Sequence, residues 1–488
     1  MYSKMKLLTL IFTIIIAEIT MSQNFEFEQH LYQSYERYKE KSIAERRFKH
    51  ADIMPLIGKL KLQQGFKIKK VGESVEGRDL NLISIGNGKT KIFLWSQMHG
   101  DESTATAALF DIFNFLSDSS NKEFCDYLFS KVSLCFLPMV NPDGAERFKR
   151  RNFYDIDLNR DAARLQTPEA IVLKNVFDNL KAEFGFNLHD QSNRYSVGNS
   201  FKTASLSFLA PAFNYGKDIN NVRERAMQVI GNLYQAVSEF IPGHIAKYSD
   251  EYEPRAFGDN FQKWGTSTIL IESGGWKDDP EKQFLRKLNF IAILSAIKTI
   301  ADESYKTTST EIYESIPFND KYIFDLILRN VQIENGNENI KVDIGINLDE
   351  IGNKDGKTFH FKSQVADLGD LSVFFGFTDI DFDGYKIKNA ETYTGKTFKL
   401  DELNSLNLYD IYAKGCSNII VSNLPDEKFS DLPINLTLSN KIDTTINLDE
   451  PANFVLKKDG KIEYIVVNGF VQKIGEDKKF EGNGMVIR

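Results

Sequence analysis

Cysteine is scarce in this 488-residue chain, which holds only Cys125, Cys135 and Cys416. So low and odd a count excludes a disulfide-stapled scaffold, even for an exported protein. Cys135 stands in an apolar run and reads as a small buried hydrophobe, and a bridge from Cys125 to Cys135 stays open. Basic runs are also missing. A net charge of −8 and a pI near 5.5 leave no electrostatic footprint for nucleic acid or anionic lipid. The only extended apolar run, Leu7–Ala17, is shorter than the roughly 20 residues of a spanning helix, so no stable membrane anchor is expected. An apolar fraction of 42% with 26% charged residues is ordinary globular composition and excludes a disordered chain.

What is present begins with Lys4 and Lys6, the run Leu7–Ala17, and then Thr20, Ser22 and Gln23. That order reads as a signal peptide over residues 1–23, hence a secreted or periplasmic protein. Residues 25–48, rich in Tyr, Glu, Lys and Arg, resemble an exposed lead-in helix. Beyond them, compact apolar runs (91–97, 132–138, 184–189, 266–272) alternate with helical periodicity (104–116, 168–180, 218–240, 279–301). The alternation predicts an α/β fold with a mixed, mostly parallel sheet and helices on both faces. From Tyr322 the texture changes to short apolar stretches between Asn, Gly and Asp clusters such as Asn335-Gly336-Asn337 and Asp459-Gly460. A β-rich C-terminal domain is therefore expected over 317–488 after an α/β domain over 24–304, with the boundary between Ala301 and Pro317.

The chemistry concentrates at strand ends. Ser96-Gln97-Met98-His99-Gly100-Asp101-Glu102 sits where an apolar run gives way to a helix. An imidazole and a carboxylate three residues apart at such a turn can face one point, and both are ligand types for Zn²⁺. His189 closes the run Phe184–Leu188 and is the best third ligand, at the carboxyl end of a strand where open α/β sheets place their sites. Glu272 closes another run before Ser273-Gly274-Gly275, and a buried carboxylate there must be paired or used. Asn141-Pro142-Asp143-Gly144 reads as a turn. Asp157-Leu158-Asn159-Arg160-Asp161 brings together an amide and a guanidinium suited to a carboxylate.

Taken in order, H-G-x-E, N-P-D-G, D-L-N-R, a strand-end His and a strand-end Glu before S-G-G resemble the zinc metallocarboxypeptidases similar to carboxypeptidase A, over roughly residues 57–301. The resemblance implies one zinc ion held by His99, Glu102 and His189. It implies Glu272 as the general base toward a water activated by the zinc, and Asn159 with Arg160 as the grip on a peptide's free C-terminal carboxylate. Arg150 best matches the residue that polarises the scissile carbonyl, with Arg151 as the competing alignment. Tyr248 and Tyr252 both fall where the family has a tyrosine. Residues 253–259, where the side-chain pocket is expected, mix Arg255, Phe257 and Asp259 and leave its preference open. Two other functions are kept: a zinc amidase acting on cell-wall peptides or acylated amino acids, and an inactive binding protein.

Overall fold

A computed structural model of the protein describes residues 26–335, 338–440, 446–475 and 479–488. The expected signal segment 1–23 lies outside the described residues. Two units divide the chain, the first ending at Lys321 and the second running from Tyr322 to Arg488 with residues 199–201 added.

The first unit opens with helix α1 (residues 26–38) and α2 (His50–Leu60). Strands β1 (Lys67–Glu73), β2 (Asp79–Ile85) and β3 (Thr90–Ser96) follow, then α3 (Thr104–Ser117), α4 (Lys122–Lys131) and β4 (Val132–Leu137). Next come α5 (Pro142–Arg147), α6 (Pro168–Leu180), β5 (Phe184–Asp190), the short β6 (Ser196–Val197), β7 (Leu206–Leu209), α7 (Asn221–Ser238) and β8 (Ile245–Lys247). The unit closes with α8 (Phe257–Lys263), β9 (Ser267–Ser273), α9 (Gln283–Ala301), α10 (Thr310–Ser315) and β10 (Asn319–Asp320). Its sheet runs β1-β2-β4-β3-β5-β9-β7-β8. The centre, β4-β3-β5-β9, is parallel, and antiparallel pairs flank it at β1–β2, β2–β4 and β7–β9.

Both faces of this sheet are covered, which is why its strands read as unbroken apolar runs. In β3, Ile92 and Leu94 join α3, α7 and α9 in one core, while Phe93 and Trp95 point to the other, with α6 and α8. There Phe177 and Phe261 stack at 4.2 Å. Truncating such a ring to alanine costs about 3–5 kcal/mol. Local signals place the helices that frame the site: α6 starts on Thr167, whose hydroxyl accepts the Ala170 N–H, followed by Pro168 in the first turn.

Two expectations need correcting, and one open alternative closes. The lead-in helix is not exposed, since Leu31, Tyr35 and Tyr38 are fully buried on one stripe. The loop after it is held by the buried Arg286, which bonds both oxygens of Asp111 (2.7 and 2.5 Å) and the Glu40 carbonyl (3.0 Å), while the Tyr35 hydroxyl joins Asp111 at 2.9 Å. The first unit also ends after, not within, residues 301–317: α10 packs Tyr313 into the core, where its hydroxyl accepts the Ala210 N–H at 3.2 Å. Finally, Cys125 and Cys135 form no bridge; both are free and buried.

The second unit is β-rich. One eight-stranded sheet is built on the long antiparallel strands Ile323–Asn335, Glu338–Gly352 and Phe359–Gly369, and continues into the hairpins of 454–473. A second sheet of five strands is largely parallel, with the short helix Leu408–Tyr412 leading into Cys416–Val421. Among the described residues of the chain, no helix is long and apolar enough to cross a membrane.

Candidate metal and catalytic site

The carboxyl ends of β3, β5 and β9 lie side by side, and His189 is paired directly with Glu272 across β5 and β9. Beyond β3 the chain turns sharply at Gln97, whose φ of 52° is unusual for a residue with a side chain. Gly100 then comes so close to Gly144 that a Cβ on it would meet that residue's carbonyl carbon at 2.0 Å. Any larger residue would push the two motifs apart. That contact explains the glycine of H-G-x-E; the glycine of N-P-D-G has its own reason, since a Cβ on Gly144 would meet Asn141 Nδ2 at 2.5 Å and the Arg151 carbonyl oxygen at 2.8 Å.

The second of these motifs is more than a turn. It starts α5, capped by Asn141, whose side-chain oxygen accepts the Gly144 N–H at 2.9 Å. Asp143 is fully buried and accepts from Ser74 Oγ (2.6 Å), the Glu76 N–H (2.9 Å) and Arg78 Nη1 (2.7 Å). The Arg150 carbonyl in turn accepts from Gly100 N (3.3 Å) and Asn141 Nδ2 (3.2 Å). Two sequence-distant motifs therefore fix the backbone of Arg150.

His99, Glu102 and His189 converge, all buried, with their ligand atoms within 4.8 Å of one another. Glu102 is the hub: Oε1 lies 2.7 Å from His99 Nδ1, and Oε2 lies 2.6 Å from His189 Nδ1. Nε2 of His99 points away toward Asp157 Oδ1 at 3.1 Å, which leaves Nδ1 as the inward atom. His189 Nε2 is buried without a hydrogen-bond partner. Burial opposes a charge on Glu102, but the two imidazoles outweigh it and hold its carboxyl well below the usual range. Two imidazole nitrogens and one carboxylate are a donor set that fits Zn²⁺ with one position open.

Around this cluster the structure sorts the remaining candidates. Arg150 faces it, with Nη1 at 3.0 Å from His99 Nδ1 and 3.1 Å from Glu102 Oε1, whereas Arg151 bonds the Asp155 carbonyl. Glu272 is buried, and that burial, reinforced by the charges of Glu102 and Asp190 and offset by Arg150 and Lys282, pushes its carboxyl well above the ordinary range. Of the two tyrosines, Tyr248 is the one beside Glu272, whose charge is the main reason its hydroxyl is raised. Tyr252 instead packs edge-on against Tyr215 at 5.0 Å. The Asn159 side-chain oxygen accepts the Phe257 N–H at 2.9 Å, which fixes the end of the amide that can donate. Arg160 lies 3.3 Å from Glu253 Oε2.

Residues 60–232 match the zinc carboxypeptidase family. This segment belongs to the zinc carboxypeptidases. It contains His99, Glu102, Arg150, Asn159, Arg160 and His189; Glu272 lies beyond it. A carboxypeptidase of Arabidopsis thaliana is 31% identical over 102 residues, covering 20% of this chain and 21% of that protein. An uncharacterised protein of Zymomonas mobilis is 26% identical over 138 residues, covering 28% of this chain and 36% of that one. The matches thus span well under half of these relatives. A solved metallo-carboxypeptidase from Burkholderia cenocepacia is 17% identical, with 53% of this chain and 70% of that one covered at a TM-score of 0.43.

Two residues of the first unit escape a motif reading. Asp157 opens D-L-N-R, and only the fold shows it bonding both His99 and Arg150. Lys282, buried ten residues past Glu272, donates to the Ser273 carbonyl at 3.0 Å and lies 3.4 Å from Asp190, which also accepts from Thr104 Oγ1 at 2.6 Å. It supports the backbone just after both His189 and Glu272. Nothing in its local sequence marks it.

Proposed function

We propose that the protein is a zinc-dependent metallocarboxypeptidase that hydrolyses the C-terminal bond of peptides bearing a free carboxylate. The observation that carries this reading is the convergence of His99, Glu102 and His189 with Glu272 and Arg150 at the ends of three adjacent strands. His99 Nδ1, His189 Nδ1 and the Glu102 carboxylate would hold one zinc ion. When bound, that ion supplies Lewis acidity, polarising a carbonyl and lowering the pKa of water.

The protein's own groups do the rest. Glu272, with its raised proton affinity, takes a proton from the attacking water and delivers it to the leaving amine. Arg150 donates to the substrate carbonyl oxygen as negative charge develops there. Arg160 and the oriented amide of Asn159 grip the terminal carboxylate by charge-assisted hydrogen bonds. Lys4, Lys6 and the run Leu7–Ala17 support export of the chain.

The test is hydrolysis of matched N-blocked dipeptides with free and amidated C-termini, before and after chelation and zinc restoration. Activity on the free acids alone, lost with the metal and regained with zinc, is expected. Activity that survives chelation overturns the zinc reading, and equal rates on amides overturn the carboxylate grip.

A further inference from the structure

The guanidinium assigned to the substrate carboxylate is already paired. Glu253 Oε2 lies 3.3 Å from Arg160 Nε, and the same oxygen accepts from Arg255 Nη2 at 2.8 Å. Arg255 Nε closes a second bond to Glu253 Oε1 at 2.9 Å. One carboxylate therefore sits between two arginines, held at both oxygens by Arg255 and at one, more loosely, by Arg160.

Three backbone bonds around it do not involve that side chain, while a fourth does, the Arg255 N–H donating to Glu253 Oε1 at 3.1 Å. The Glu253 N–H donates to Asp259 Oδ1 at 3.0 Å, the Ala256 N–H to the Glu253 carbonyl at 2.9 Å, and the Ala162 N–H to the Arg255 carbonyl at 3.0 Å. Oε1, held by the Arg255 N–H and Nε, can therefore stay in place while Oε2 turns away from Arg160, and the turn is kept. Its departure from Arg160 would also leave no unpaired charge, because the bidentate contact with Arg255 remains.

We propose that Glu253 is an internal stand-in for the substrate's terminal carboxylate: it occupies Arg160 in the ligand-free protein and yields it by moving wholly onto Arg255. The proposal rests on the reading of Arg160 as the carboxylate grip. It makes Glu253 a competitor for Arg160 that lowers the affinity for a charged terminus and leaves that for a neutral amide, which does not engage Arg160, as it is. Arg255 is then a positioning residue that receives Glu253 and never touches the substrate.

The test measures binding rather than turnover, by calorimetry on the zinc-loaded protein in a Glu272→Gln background. The probe is an N-acetylated dipeptide, as free acid and as C-terminal amide. Glu253→Gln is expected to tighten the free acid by about two- to five-fold, the range of a partly exposed ion pair, and to leave the amide unchanged. Glu253→Asp, too short to span both arginines, should do the same. Arg255→Met should weaken the free acid by a similar factor when Glu253 is present and have no effect once it is Gln.

Free-acid binding that is unchanged or weaker in both Glu253 variants overturns the proposal. So does an Arg255→Met effect that persists without Glu253. If the parent binds acid and amide alike, the reading of Arg160 itself falls, and this proposal falls with it.

Discussion

Asp157 holds His99 with one oxygen and Arg150 with the other: Oδ1 is 3.1 Å from His99 Nε2, and Oδ2 accepts the Arg150 Nε–H at 3.1 Å. A single carboxylate thus aims a metal-ligating imidazole and the cation beside it. Such outer partners set the ligand's tautomer and raise its basicity. Asp157→Asn is expected to weaken zinc affinity about ten- to a hundred-fold, read by competition with a chromophoric chelator. Unchanged affinity and unchanged turnover together would remove Asp157 from the site.

Glu272 separates metal binding from proton transfer. It lies beside the ligand cluster but is not one of the three converging groups. Glu272→Gln preserves shape and removes the base, so the variant should keep its full zinc content while turnover drops by at least about a hundred-fold. Metal analysis and peptide hydrolysis on the same sample check this, and loss of zinc would contradict the division of roles.

Asp259 offers a pH test away from the metal. Burial, reinforced by the charge of Glu253 and eased by Arg160, pushes its carboxyl up to about 7. In the unfolded chain it ionises near its ordinary value of roughly 4, so between these limits the native state binds more protons than the unfolded state. This group's contribution to stability therefore falls as pH rises through that window and is level above it. Asp259→Asn should flatten the slope, with the largest gain in melting temperature above neutrality. A variant whose stability tracks the parent at every pH would show that Asp259 is not held neutral.

The sequence by itself determined the framework of the first unit. Strands buried on both faces must be apolar throughout, so β3, β5 and β9 stand out as runs, and the polar residues at their ends or just beyond, His99, His189 and Glu272, are visible for the same reason. Local helix signals such as Thr167-Pro168 were equally legible.

Choices between neighbours were left to tertiary structure. Arg150 and Arg151 have the same local chemistry, and only the bonds from Gly100 and Asn141 to the Arg150 carbonyl decide which side chain meets Glu102. Tyr248 is separated from Tyr252 by its approach to Glu272, and α1 is buried because Tyr35 and Tyr38 pack against Phe290, far along the chain, and Phe115. In each case the deciding contact joins segments remote in sequence. Local patterning records which face of an element is buried, but not which partner covers it.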